Sequence, residues 1–393
     1  MEKIVQKKKV FLPEYTGGSI TNVSSSILKI FGVEPSTPPL REDILPLKKY
    51  RGISKVVLFI FDSLGFHRLK SIGPLNEYPV SPITTVFPST TASALTSLYT
   101  AETPSKHGMV GFRLFLKEYG LLVNMIKLSP AGFESRDRLR ETGFDPKRFL
   151  PVKTVFQRLE KRGVRSFSFT RMHYYKSGLS SLLLKGSEIV PYVNIVDLLI
   201  NIKKLLHRIR GKVFITAYVD DFDITTHYYG IRTEEEETTI RVYLKVLKEL
   251  FLRDTFNRTL ILLTSDHGQV PSPSRSQIDI RKYKGIHRGL LMPPTGEFRA
   301  SYLYLKKGSQ EKVTDEIRKR LGEKFLIFTR DEAIRMGLFG GKFKDSQLEG
   351  RLGDVMVISK DTNYLYYPYS TFELKARHGG LHRNEMEVPF IVF

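Results

Sequence analysis

The sequence predicts an α/β fold: a mainly parallel central sheet sandwiched by helices, with a small α+β insertion. Three observations carry that prediction. Apolar runs recur at Lys55–Phe61, Val213–Val219 and Thr259–Thr264, and continuous runs of this kind suit strands buried on both faces. Helical patterns lie between them, at Ile195–Ile209 and Glu234–Phe251, as the crossovers of a parallel sheet require. Residues 296–345 then change rhythm, with an alternating stretch Arg299–Leu305, a helical pattern Gln310–Leu321 and an extended Phe325–Thr329.

Taken in order, residues 1–50 read as an irregular arm packed on the surface, with Pro38, Pro39 and Pro46 close together. Residues 51–295 form the main α/β domain, beginning with the strand that ends at Asp62. A helix at Thr154–Lys161 leads into a strand at Arg165–Thr170, and the remaining strands and helices follow in alternation. Residues 296–345 form a small β-α-β unit inserted before the last part of the domain, 346–393. No internal repeat or low-complexity tract is present.

The 393 residues include no cysteine, which excludes disulfides and thiolate metal sites. Any metal must be held by Asp, Glu and His, a set suited to hard or borderline cations. The net charge of +21 fits either attraction to anions or a Lys-rich solvated surface. No segment reaches the ~18 apolar residues that span a bilayer. The N-terminus lacks the apolar core of a signal peptide, so a cytoplasmic location is expected.

Open α/β sheets bind ligands at the carboxyl ends of their strands. Here three strands end in acids: at Asp62, at Asp220-Asp221-Phe222-Asp223 followed by His227, and at Asp266-His267-Gly268. One such Asp is usually a turn former or helix cap. Three, two of them with histidine, call for another reading. Asp223 and His227 stand four apart, so a helical turn puts both on one face, as two ligands of one metal require. Adjacent Asp266 and His267 can both turn inward from a tight loop. Late in the chain, glycine follows His378 and allows close backbone approach to an ion. His382 is a candidate for orienting a ligand rather than being one.

The segment Phe87–Ala101 reads as a turn entering a helix, with Pro88 before it, Ser89 available to cap it, and Leu95 and Leu98 on its apolar face. Plain capping is the commoner meaning of such a segment. A hydroxyl in the first turn would nevertheless lie beside free N–H groups that favour a phosphate, and a neighbouring metal could make it a nucleophile.

In order, the motifs are strand-Asp, threonine at a helix start, Asp-x-x-x-His, Asp-His-Gly and a late His-Gly. The set resembles the alkaline phosphatase superfamily, most closely the type I phosphodiesterase/nucleotide pyrophosphatase family, from about Lys55 to Phe393. The resemblance implies an alkaline-phosphatase-like fold and two divalent ions, zinc by preference, with manganese or iron able to use the same ligands. It implies one ion on Asp223, His227 and His378, and the other on Asp62, Asp266 and His267. It also implies a threonine nucleophile that forms a covalent intermediate, later released by water. Thr100-Ala101 and His107-Gly108 look like the family's Thr-Gly and His-Gly pairs. Counting back from them lands on Thr91, with Thr90 one residue away. The family's phosphate-binding asparagine has no obvious counterpart after His107-Gly108; Asn124 or Arg113 would have to substitute.

The expected activity is therefore hydrolysis of a phosphodiester or nucleotide pyrophosphate, with a small phosphate ester or nucleotide as substrate. Phosphomonoesterase and phosphonate hydrolase chemistry are close rivals. A sulfatase would need a modified Cys or Ser in a Cys/Ser-x-Pro-x-Arg motif, which Ser89-Thr90-Thr91 does not supply. A non-catalytic nucleic-acid binder could use Lys282–Gly285 and Arg299–Lys307, but leaves the Asp/His set unexplained and is not favoured.

Overall fold

The computed structural model describes residues 10–343, 345–369 and 373–393. The first nine residues of the expected arm lie outside them.

The central sheet has seven strands in the order β2-β18-β9-β1-β8-β6-β7. They are β1 (Lys55–Phe61), β2 (Val80–Thr84), β6 (Arg165–Arg171), β7 (Glu188–Tyr192), β8 (Val213–Val219), β9 (Thr259–Thr264) and β18 (Glu387–Val392). β1 pairs in parallel with β8 and β9, β8 with β6, and β6 with β7. Only β18 runs against its neighbours β9 and β2. Alternate residues of β1 explain its unbroken apolar run. Val57, Phe59 and Phe61 pack with helices α3 (Ile195–Arg208) and α5 (Glu234–Leu247), and Val56, Leu58 and Ile60 enter the larger core on the opposite face. Both faces are covered, as for parallel sheets generally.

That larger core holds the first departure from expectation. Residues Ile20–Ile30, placed in a surface arm, form a helix (α1) buried along most of its length and packed on α2 (Thr91–Thr100). Ile20, Val23, Ile27 and Leu28 form its apolar stripe. The small hydroxyl side chains between them permit close approach: Ser24 Oγ donates to Leu98 O of α2, while Ser26 Oγ donates back to Asn22 O of its own helix at 2.9 Å.

The second departure concerns 296–345. The expected β13 (Ala300–Leu303), helix α6 (Gln310–Leu321) and β14 (Phe325–Thr329) are present, but β13 and β14 do not pair. β15 (Val355–Ser359) lies between them, antiparallel to both. The three belong to a second, antiparallel sheet of order β14-β15-β13-β12-β3-β4-β5, which also takes in β12 (Thr295–Gly296), β3 (Arg113–Leu116), β4 (Leu121–Asn124) and β5 (Ser129–Pro130). One face of this sheet joins the larger core through Tyr302, Met356 and Ile358; the other packs Leu303, Val355 and Val357 under α6. Two short pairings complete the frame. β10 (Val270–Pro271) lies antiparallel to β17 (Ala376–Arg377), and β11 (Gln277–Asp279) parallel to β16 (Tyr364–Tyr366). No helix among the described residues is long and apolar enough to cross a membrane.

Candidate active site

The site follows from strand register. β1 lies between β8 and β9, with Phe61 opposite Val219 and Ile60 opposite Thr264. The three strands therefore end side by side. Asp62 N donates to Val219 O at 2.8 Å, and Ser63 N donates to Asp266 Oδ1 at 3.0 Å. Ser63 adopts a left-handed conformation, φ 67°, which turns the chain sharply after Asp62. Beyond β8, helix α4 (Asp221–Tyr229) carries Asp223 and His227 one turn apart on the same face. His378 arrives from far along the sequence, directly after β17.

Two groups of side chains result. Asp62, Asp266 and His267 are buried, and Asp223, His227 and His378 are half-buried; within each group the potential ligand atoms lie within 4.8 Å of one another. The groups adjoin, since the His267 and His378 rings stack at 3.9 Å between centroids. His267 Nε2 lies 3.5 Å from both Asp62 Oδ1 and Asp266 Oδ2, and His227 Nε2 lies 3.3 Å from Asp223 Oδ2. Tyr218 OH donates to Asp62 Oδ2, and Gln269 Nε2 donates to Asp223 Oδ1.

The three histidines share one further property. Each places Nδ1 against a backbone carbonyl: His227 on Ala376 O at 2.8 Å, His267 on Gly268 O at 3.1 Å, and His378 on Ser89 O at 3.0 Å. A carbonyl only accepts, so each Nδ1 carries a proton and each Nε2 is turned towards the carboxylates. This is how metal-binding histidines are commonly held. Asp62 Oδ1 and Asp266 Oδ2, which face His267 Nε2, are buried without a hydrogen-bond partner. Leaving buried carboxylate oxygens uncompensated costs several kcal/mol. Burial, followed by the charges of Asp266 and Asp223, pushes the Asp62 carboxyl well above its usual range. Burial also opposes the charged form of Asp223, but His227 and His378 more than offset this and hold it low. Unpartnered carboxylate oxygens and mutual repulsion in the Asp62, Asp266 and His267 group fit a cation there, and the carboxylate with two inward-facing Nε2 atoms in the Asp223, His227 and His378 group is a donor set for a second.

Helix α2 points its N-terminus at this centre. Thr91 is its first residue and Thr90 its N-cap. Thr91 Oγ1 lies 3.0 Å from His267 Nε2. Thr90 is almost fully buried and hydrogen-bonded to the Glu297 side chain. Ser89 does not cap the helix: its hydroxyl donates to Gly380 O at 2.9 Å and accepts from Gly379 N at 3.1 Å, tying the His378 loop to the start of α2.

The other candidates divide. Arg113 and Asn124 face each other across the β3–β4 ladder. Asn124 Oδ1 accepts from Lys127 N at 3.1 Å, a local turn contact. The Arg113 guanidinium is buried against the rings of Phe112, Phe298 and Tyr369, with Glu297 nearby. His382 caps a short helix by accepting from Asn384 N at 3.1 Å on Nδ1. Asp220 and Asp221, in the same acidic run as Asp223, are taken up by Arg171. The stretch Arg299–Lys307 cannot serve as an open nucleic-acid surface over its first half: Arg299 is buried in a paired contact with Glu385, and Tyr302 and Tyr304 are buried.

Three residues beside the centre were not singled out from the sequence: Tyr218, Gln269 and Glu297. Glu297 Oε1 accepts from Phe112 N at 2.7 Å, and its side chain packs under Gly379, where an added Cβ would come within 2.7 Å. Burial raises its carboxyl to about 7. It follows β12, a strand of two residues, too short to announce itself as an apolar run. Tyr218 and Gln269 lie within three residues of recognised acids, which is the signal that could have found them.

Comparison with known proteins identifies the family and the fold. Residues 65–381 match the family described as type I phosphodiesterase / nucleotide pyrophosphatase. A search of curated proteins by sequence finds no match. Among solved structures, murine ectonucleotide pyrophosphatase/phosphodiesterase 5 is similar at a TM-score of 0.64, with 16% identity, covering 86% of this chain and 87% of its own. The human counterpart gives 0.64 at 15% identity, covering 86% and 87%. Phosphonoacetate hydrolase from Sinorhizobium meliloti gives 0.63 at 21% identity, covering 86% and 90%. With the family matched over most of its length, this chain belongs to the type I phosphodiesterase/nucleotide pyrophosphatase family and is a hydrolase of the alkaline phosphatase superfamily.

Proposed function

We propose that this protein cleaves phosphodiester or nucleotide pyrophosphate bonds with two divalent cations, zinc by preference, and a covalent intermediate on Thr91. The observation that carries the reading is the shared orientation of His227, His267 and His378, each tied to a backbone carbonyl through Nδ1 so that its Nε2 faces the Asp62, Asp223 and Asp266 carboxylates. One ion would be held by Asp223, His227 and His378, the other by Asp62, Asp266 and His267. Bound there, such ions would supply Lewis-acid stabilisation of charge on the attacking and leaving oxygens.

The chain's own groups do the rest. Thr91 Oγ1 attacks phosphorus: its bond to phosphorus forms, the bond to the leaving oxygen breaks, and the hydroxyl proton ends on the leaving oxygen. Water then attacks on the opposite side, its oxygen replaces Oγ1 on phosphorus, and one of its protons returns to Oγ1. The unpaired N–H groups of the first turn of α2 orient and stabilise the non-bridging oxygens. Thr91 is preferred to Thr90 because the Thr90 hydroxyl is bound to Glu297.

The nucleotide reading is supported by the mouse protein, an inactive threonine-to-alanine form of which is known in complex with AMP. Phosphonate hydrolysis is the second reading, favoured by the Sinorhizobium meliloti enzyme, known with phosphonoformate and phosphonoacetate. The deciding experiment removes metal, restores zinc, manganese or iron singly, and measures hydrolysis of a nitrophenyl phosphodiester, a dinucleotide, a nitrophenyl phosphomonoester and phosphonoacetate. The proposal expects metal-dependent turnover, fastest on the diester or dinucleotide. Full turnover without metal would overturn it, and preference for phosphonoacetate would establish the second reading.

A further inference from the structure

The structure contains a cleft of about 660 Å³ that none of the candidate ligands or threonines lines. Its walls come from the segment 128–157 and the short helix Gly178–Leu183. The volume is in the range of small-molecule sites, roughly 300–1,000 Å³. Leu128, Leu139, Phe144, Leu150 and Leu182 give it an apolar interior.

The charged lining is asymmetric in what it has to bind. Asp137 Oδ1 accepts from Gly178 N at 2.8 Å, and Asp145 Oδ1 accepts from Lys147 N at 2.9 Å. Both carboxylates are thus engaged in holding the walls. Arg140, Lys147, Lys153 and Lys185 stand exposed around the opening, with no ion pair to any of them among the described residues. The Lys153 ammonium has another ammonium beside it, that of Lys161, an arrangement that an intervening anion would relieve.

We infer that this cleft is a second ligand site, which takes a single-chain amphiphilic anion: an apolar tail on the interior and a phosphate or carboxylate head between the lysines at the rim. A compact anion would leave the apolar interior wet, and a neutral amphiphile would leave the cations without a partner. The site is separate from the candidate active site but shares a wall with it. Gly178, Ser181 and Leu182 face the cleft, whereas Leu179, Ser180 and Leu183 line the small pocket that contains Thr91.

The probe is dodecyl phosphate below its aggregation concentration, titrated calorimetrically into metal-loaded Thr91→Ala protein with saturating orthophosphate. The variant prevents turnover, and orthophosphate occupies the phosphate position of the active site. One mole should bind per chain. Combined Lys147→Glu and Lys153→Glu substitution should weaken binding about tenfold or more, as expected for removing and reversing two partner charges. With Thr91 intact, the same charge reversal should leave hydrolysis of a nitrophenyl phosphodiester unchanged, which also checks folding. If that double variant does not fold, Lys185→Glu and the pocket-filling Val152→Trp replace it, each expected to weaken the probe. Equal affinity for dodecyl maltoside, or unaltered binding in the rim and filling variants, would each overturn the inference, as would absence of binding both with orthophosphate and without it.

Discussion

Thr91 Oγ1 and His267 Nε2 stand 3.0 Å apart, although 175 residues separate them in the chain. A strand end and a helix start make the contact. β1 and β9 are locked in register, which places His267 beside Asp62, and α2 brings its first residue onto the same spot. The proposed mechanism makes this pair the point where nucleophile and cation meet.

Thr91→Ala is expected to lower diester hydrolysis by ~10³-fold or more, since the nucleophile itself is removed. Metal content should stay unchanged, because no carboxylate or imidazole is lost. Thr90→Ala should retain most of the activity. Steady-state kinetics with metal analysis of both variants checks this. An active Thr91→Ala beside an inactive Thr90→Ala would move the nucleophile by one residue.

Asp223→Ala and His227→Ala should each reduce bound metal from about two ions per chain to about one. The Asp62, Asp266 and His267 group remains complete in both. Metal analysis after dialysis reads the result directly. Two ions retained in both variants would exclude Asp223 and His227 as ligands.

Gln269 reaches Asp223 through its side-chain amide, so it should orient that carboxylate without binding an ion. Gln269→Leu is expected to weaken the ion at the Asp223 group by about 10–100-fold, the usual cost of losing such a support. The other ion should bind as before. Competitive titration with a chelator separates the two.

Glu297 joins Phe112 N to the Thr90 side chain beneath Gly379. Glu297→Gln keeps a carbonyl oxygen for Phe112 N and should cost little. Glu297→Ala leaves a buried N–H unpaired, at about 1–3 kcal/mol, and should lower kcat through misplacement of α2. Equal activity of the two variants would show that the contact does not position the nucleophile.

His107 gives a pH prediction. Its Nδ1 accepts from Met109 N at 3.1 Å, so Nε2 carries the proton and donates to Ser97 Oγ at 2.9 Å. A second proton on Nδ1 would face an N–H. Burial, followed by the charge of Arg351, lowers its pKa to about 3. The unfolded chain takes up this proton near pH 6.5, so it binds more protons than the folded chain below that pH. Stability should fall as pH drops from about 6.5 towards 3, with a contribution of about 4–5 kcal/mol at the lower limit. His107→Gln should flatten this slope in urea unfolding of metal-free protein. An unchanged slope would count against a neutral buried His107.

Much of the site was legible because its residues close apolar runs. β1, β8 and β9 stand out in sequence as strands buried on both faces; β1 and β9 lead directly to Asp62 and Asp266, and β8 leads into the helix that carries Asp223 to the centre. Asp223 and His227 were legible as a pair because helical spacing alone puts them together. Glu297 was not, because it follows a two-residue strand and meets its partners only through the second sheet. Helix α1 carries Ile20, Val23, Ile27 and Leu28 at helical spacing, and the nearby prolines Pro38, Pro39 and Pro46 that suggest an irregular arm all lie beyond its end. Arg113 and Asn124 are neighbours as strand partners, but Asn124 is used by a turn and Arg113 by aromatic rings.

The sequence by itself determined the main alternation of strands and helices, the Asp and His residue types of the candidate cation groups and the threonine-bearing helix start. Each depends on local pattern or short spacing. Tertiary structure decided what lies beside what. The alignment of β1 with β8 and β9 sets Asp62 beside Asp266, and the β10–β17 pairing returns His378 to the neighbouring group. Three backbone carbonyls then turn each histidine Nε2 inward. The choice between the two threonines follows the same rule: adjacent residues of one chemistry differ only in the side-chain partners packing gives them, His267 for Thr91 and Glu297 for Thr90.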